Sequence, residues 1–322
     1  MRNLLAAAFL LAVPLSAAAQ PAPSAPWPTR PVTMVVPFTA GTTSDVVGRA
    51  LGEHLSRALG QSFVIENRAG AGGNLGAGAV ARAAPDGYTL LLATTGPAAT
   101  NKFMYESMNF DPERDFVPIV LVGKAPIIVV ARPDLPARTL KEALAAAVAP
   151  EALAVGFPGN GALGHITGIL LQRRAGVRFR EVQYRGSAQI ITDLLGGHID
   201  LGMDSIAGYV PNVQEGKLRA LAIASTARWP QLPDVPTVSE AGLEGFEASV
   251  WYALLAPRGM ADAVVAKLNA AANAFVKDPA AKDLFLRLGI AAAGGTPDDL
   301  RAFTAAEVDR WSAIIKAAGI RF

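Results

Sequence analysis

Four short segments of the 322-residue chain have a composition suited to holding an anion. They are Thr39-Ala40-Gly41-Thr42-Thr43-Ser44-Asp45, Thr94-Thr95-Gly96, Pro158-Gly159-Asn160-Gly161-Ala162 and Tyr184-Arg185-Gly186-Ser187. Each follows a strand-like run and precedes a helix start. Such a loop exposes backbone N–H groups at the positive end of a helix dipole. Glycine admits a ligand close to the main chain, and Ser or Thr adds a short hydroxyl donor. Together the four would replace the hydration shell of a small carboxylate. Any one of them is also an ordinary helix cap, so their repetition carries the reading.

Sharper chemistry is missing from the sequence. Gly70, Gly72, Gly73, Gly76 and Gly78 never fall at the offsets of a dinucleotide fingerprint. Gly123-Lys124 and Gly216-Lys217 lack the residues of a phosphate loop, and there is no G-x-S-x-G elbow. With no Cys and only three scattered His, no metal site is expected. His54 falls inside a helical stretch and His198 in a Gly-Gly-His turn, both suited to structural or solvated roles. His165 opens a helix after a glycine-rich loop, where binding and capping are both open. Asp204 ends the apolar run IDLGMD and needs a donor or a cationic ligand group, or else caps the next turn. Arg185 could clamp a carboxylate or sit on the surface. No nucleophile–base–orienter set is present, so no catalytic residue and no cofactor are expected.

These loops need a frame that presents them together. Strand-length apolar runs alternate with amphipathic stretches, the pattern of an α/β fold with mainly parallel central sheets flanked by helices. Strands are expected at 32–38, 63–67, 88–95, 127–130, 153–156, 181–184, 218–224 and 249–257. Helices are expected at 45–59, with Gly60 as its cap, then at 75–83, 140–148, 163–174, 188–195, 262–276, 279–288 and 297–318. Phe116 to Val130, interrupted by Pro118, Lys124 and Pro126, reads as two buried strands or one bent strand rather than a membrane span. Two lobes joined by a hinge follow, one from 32–125 plus 229–322 and one from 126–228. Ligands bind at the carboxyl ends of strands in such sheets.

Composition narrows the classes further. At 51% hydrophobic and 17% charged the chain is globular, which excludes a disordered scaffold. Its 29 Lys and Arg against 27 Asp and Glu form no long basic run, so nucleic acid is not an expected partner. Residues 1–19 have Arg2, an apolar core from Leu4 to Leu15 and an Ala17-Ala18-Ala19 cleavage pattern, the layout of a secretory signal. That core is too short to span a bilayer. Residues 20–31 are a Pro-rich lead-in, expected to be extended and loosely held. An exported chain without Cys has neither disulfides nor a cysteine-linked lipid, which suits free diffusion in a periplasm.

The chain resembles a known family, the substrate-binding receptors of tripartite tricarboxylate transporters, or Bug family. The resemblance rests on WPTRPVTMVVPFTAGTTSD, VIENRAGAGGNLGA with APDGYTLLLAT, FDPERDFVPI, VQYRGSAQIITDLLGGHIDL, GKLRALAIAS, LPDVPTVSEAGLEGF and WYALLAP, in family order from Trp27 onward. It implies a two-lobed, type II-like periplasmic binding protein of Venus-flytrap form. Such a protein closes over a small organic carboxylate and delivers it to membrane permease subunits, as a monomer that is not embedded in the membrane. Carried over residue by residue, the implied ligand positions are Phe38, Thr39, Gly41, Thr42, Thr43, Asp45, Thr95, Asn160, Gly161, His165, Tyr184, Gly186, Ser187 and Asp204. Two departures stand out: Thr42 follows Gly41 where the family pairs glycines, and Ala162, Leu163 and Gly164 precede His165 where the family favours Ser or Thr. The second departure suggests a less polar distal pocket and a ligand with an apolar or aromatic portion. The alternatives are a sensing receptor for a two-component system and, further off, a periplasmic enzyme using His165 or Asp204.

Overall fold

The computed structural model describes residues 27–149 and 152–321. The secretory signal and most of the lead-in lie outside these residues. The order is β1 (Val32–Val36), α1 (Thr43–Leu59), β2 (Phe63–Asn67), α2 (Asn74–Ala81), β3 (Thr89–Thr94), β4 (Phe116–Ala131), α3 (Leu140–Ala146), β5 (Ala154–Phe157), α4 (Leu163–Ala175) and β6 (Arg180–Gln183). Then come α5 (Ser187–Leu195), β7 (Leu201–Ser205), α6 (Val210–Gln214), β8 (Arg219–Ile223), β9 (Ser249–Pro257), α7 (Asp262–Lys277), α8 (Pro279–Arg287), β10 (Ala291–Ala292) and α9 (Pro297–Ala318). No helix among the described residues is long and apolar enough to cross a membrane.

One strand organises the sheet. β4 runs unbroken for 16 residues, which settles the choice between two strands and one. Its first part pairs with β9 and β10, and its last five residues pair with β7 and β8. The order is β2-β1-β3-β9-β4-β7-β5-β6, with β8 and β10 also on β4. Pairing is parallel on the flanks, where helices cross over between β1, β2 and β3 and between β5, β6 and β7, and antiparallel around β4 and β9. The result is an α/β fold with a curled mixed sheet. The register of β4 on β9 shifts at Pro118/Val120 and again at Leu121/Gly123, irregularities that bend a strand.

Side-chain alternation explains the layers. In the first half of the sheet Met34, Val36, Leu90 and Leu92 meet Val47, Leu51 and Leu55 of α1 on one face. Val35, Leu91 and Ala93 face α2 and the start of α9 on the other. A Cβ at Gly48 would stand 2.8 Å from Val36 Cγ2, so this glycine lets α1 seat on the strands. Gly60, at φ +73°, ends α1 as expected, its N–H donating to the Ser56 carbonyl. In the second half Ile127, Val129, Phe157, Leu201 and Met203 pack with Ile166 and Leu171 of α4. Trp311 and Ile315, from the last turns of α9, join that second core, whereas Leu300 and Val308 of the same helix join the first. α9 therefore straddles both halves.

The end of the lead-in corrects an expectation, because residues 27–31 are docked rather than loose. Trp27 packs against the first core, and its carbonyl accepts from Lys267 Nζ at 2.8 Å. The Arg30 guanidinium lies 3.7 Å from the Tyr88 ring centre and pairs with Asp86 at 3.1 Å. Burying a large indole outweighs the freedom of a Pro-rich segment. A single π-helical turn over Gly96–Thr100 adds to the expected elements.

Candidate functional site

The expected loops lie where parallel strands end and helices begin. β1 ends before Phe38, whose carbonyl accepts from Asn67 Nδ2 at 3.0 Å. Thr39 and Gly41 are exposed, and Gly41 turns the chain at φ +81°. Asp45, 3% exposed, ties the loop together by accepting from Gly41 N–H at 2.9 Å, Arg49 Nε at 3.0 Å and Asn67 Nδ2 at 3.0 Å. Burial alone would raise its pKa, but these bonds outweigh burial and hold the carboxyl below its ordinary value. Its oxygens are committed to the loop. The Thr42 hydroxyl likewise donates to Thr39 O at 2.9 Å, so it does not cap α1, whose first residue is Thr43.

The same omission recurs at α4 and α5, and also at α2, α6 and α7. α4 starts after Ala162 and α5 after Gly186, both without a side-chain cap. By contrast α3, α8 and α9 are capped by Thr139, Asp278 and Thr296. Of the other uncapped helices, α2 starts after Gly73 and α6 after Tyr209, while α7 opens near Gly87, before β3 rather than after it. Uncapped helix starts thus stand at three of the four loops that the sequence singles out. Asn160 is exposed beside Gly159, and a Cβ on Gly159 would lie 3.6 Å from the Tyr184 carbonyl, so these two loops adjoin.

His165 is buried and braces this region. Its Nδ1 accepts from Gly161 N–H at 3.2 Å, which puts the proton on Nε2, 3.0 Å from Glu181 Oε2. The bond from His165 holds the Glu181 carboxyl below its usual value. Tyr184 donates its hydroxyl to Asp193 Oδ2 at 2.6 Å; burial, reinforced by that carboxylate, pushes its pKa up. Thr95, buried, accepts the Trp251 N–H at 2.9 Å and links β3 to β9. These contacts build the frame; Thr39 is left exposed and Ser187 half-buried. Leu163 corrects a second expectation. It is packed in the second core and adds nothing apolar to the loop.

Sequence reasoning did not find a polar cluster beneath Ser187. Asp204, 6% exposed, accepts Ser205 N–H at 2.6 Å and the Tyr209 hydroxyl at 3.3 Å, with the Ser187 side chain nearby. Burial pushes its pKa up to about 6 even though its polar neighbours act to lower it. Ser205 Oγ is buried beside the Tyr252 hydroxyl without a hydrogen bond of normal geometry. Tyr252 belongs to β9 and pairs with Thr94, so this cluster joins the loops of one half to those of the other. A run of polar residues inside an apolar stretch, Asp204-Ser205 followed by Tyr209, was the available signal. No group of three or more His, Asp or Glu placed to hold a metal occurs among the described residues.

Comparison with known proteins gives a consistent result. Residues 47–320 match the family model described as the tripartite tricarboxylate transporter family receptor. Rpa4515 of R. palustris, solved with adipate, is 36% identical and superposes with a TM-score of 0.87 over 92% of this chain and 100% of its own. The periplasmic binding protein BugD gives 36% and 0.85 over 92% and 100%. MatC from Rhodopseudomonas palustris, solved with bound malate, gives 34% and 0.83 over 90% and 100%.

Proposed function

Since the chain belongs to the tripartite tricarboxylate transporter receptor family, we propose that it captures a small organic carboxylate in the periplasm and delivers it to membrane permease subunits. The carrying observation is the set of uncapped helix starts at α1, α4 and α5, each at the end of a parallel strand. Adipate and malate in the related structures support the ligand class. The ligand positions are Phe38, Thr39, Gly41, Thr42, Thr43, Asp45, Thr95, Asn160, Gly161, His165, Tyr184, Gly186, Ser187 and Asp204. Asp45, His165 and Tyr184 act by shaping loops whose amides make the contacts. The two-lobe division at 125/126 and 228/229, and a monomeric state, belong to the same proposal.

The magnitudes favour donors from both lobes. Stripping a carboxylate of water costs several kcal/mol, and each charge-assisted hydrogen bond returns about 1.5–3 kcal/mol. Four to six donors leave about 8 kcal/mol, a micromolar dissociation constant. One lobe supplies too few, so ligand and closure are coupled. The test is titration calorimetry with adipate, malate and benzoate, alongside native mass spectrometry of the protein as purified. Micromolar binding of at least one acid supports the receptor, and turnover of a bound acid would refute it in favour of an enzyme.

A further inference from the structure

The last turns of α9 stand between two hollows whose linings share no residue with the ligand loops. The larger, about 430 Å³, lies between α9 and the end of α4. Half-buried Leu170 and Ile314 line it with Ala313 and Ala317, and exposed Arg173 and Arg174 supply its charge. The smaller, about 320 Å³, is lined by Phe103, Ile315 and Ile320 and by exposed Lys316 and Arg321. Neither lining contains an acid or a neutral polar side chain.

The charge is one-sided in the sequence as well. Leu163–Arg180 holds four Arg, Arg310–Arg321 holds three cations, and neither stretch has an Asp or Glu. Arg173 Nη1 donates to the Ala317 carbonyl and Arg174 Nη2 to the Glu244 carbonyl, each at 3.1 Å, so the ends of α4 and α9 are tied together without a carboxylate. Lys316 and Arg321 form no ion pair with a described residue.

We propose that this face docks a periplasmic segment of a permease subunit, one that carries Asp or Glu beside a protruding Leu, Phe or Trp. This rests on the carboxylate-receptor reading above. The cations match an acidic partner and steer its approach. The apolar linings are recessed, so they receive anchoring side chains rather than supply them. A membrane surface would call for the opposite shape, with apolar side chains that reach out into the lipid. The place also suits a receptor. α4 begins at the Asn160–Gly161 loop and runs about 20 Å to this face, so a partner seated here bears on the far end of a helix that presents a ligand loop. α9 joins the same seat to both cores.

The experiment measures binding of the fluorescently labelled mature chain to phosphatidylcholine vesicles that carry the permease subunits of its transporter, with adipate, malate or benzoate present. Wild type should bind, and raising NaCl from about 50 to about 300 mM should weaken binding about tenfold. Arg174→Glu combined with Lys316→Glu reverses the attraction, and Ala313→Trp fills the larger hollow from an exposed position. Each variant should bind the vesicles at least about tenfold more weakly, with carboxylate affinity and melting temperature as in wild type. Vesicle binding by both variants equal to that of wild type overturns the proposal, as does a wild type that takes up a carboxylate yet ignores the permease. Equal binding to permease-free phosphatidylglycerol vesicles overturns it too, by making the face a membrane contact. Failure of all three acids to bind sinks the receptor reading itself.

Discussion

Trp251 and Trp311 donate their indole N–H groups to one oxygen, Oε2 of Glu307, at 3.2 and 3.1 Å. Trp251 is in the first core and Trp311 in the second, while Arg310 holds the other Glu307 oxygen at 3.0 Å. Glu307→Ala leaves two buried donors unpaired and should cost about 2–5 kcal/mol. Urea unfolding followed by tryptophan fluorescence measures it. A loss under about 1 kcal/mol would mean the shared acceptor is energetically idle.

Ser187→Ala and Thr42→Ala should each weaken carboxylate binding about tenfold, or 1.4 kcal/mol, and barely move the melting temperature of the empty protein. Ser187 is half-buried and Thr42 bonds only within its exposed loop, so neither supports a core. Calorimetry paired with thermal melts checks both halves of this statement, and undiminished binding by both variants would remove them from the site.

His165→Ala should do the reverse to stability. It strands the Gly161 N–H, removes one of the two side-chain donors to Glu181 and opens space beside Phe157, whose ring centre lies 5.3 Å away. About 1–3 kcal/mol of unfolding free energy should go. An unchanged denaturation midpoint would show that His165 is not a brace.

The frame was more legible than the site's interior. The alternation of strands and helices, the Gly60 cap and the place of the four loops between strand and helix follow from periodicity and turn chemistry, which are local. The unbroken run of β4 through Pro118 and Pro126 depended on partners far along the chain, which no local pattern reports. The resemblance groups Asp45 and Asp204 together as ligand positions, and nothing local reports that one ties a loop and the other is buried under its strand, because burial and partners decide a carboxyl's surroundings. Leu163 misled for a related reason: its neighbours in sequence gave no sign of which way the side chain turns.

The two acids should leave opposite marks on stability against pH. Asp45 sits below its unfolded value, so its contribution is complete above about pH 4 and fades as pH falls further. Asp204 sits above its own, so the folded state binds the extra proton and stability falls as pH rises from about 4 through 6, by about 3 kcal/mol in all. Unfolding curves from pH 3 to 8 should show a steeper acid limb in wild type than in Asp45→Asn. Above pH 4 they should show a decline that Asp204→Asn lacks. Identical profiles for wild type and both variants would contradict these assignments.

Because β4 serves both halves of the sheet, a gene cut between codons 125 and 126 would not yield two self-sufficient folding pieces: it would split β4 and part residues 116–125 from β9, their ladder partner. Fragments made there should recover the native state only when mixed, which turns the shared strand into a route for split-reporter designs that sense a ligand by reassembly.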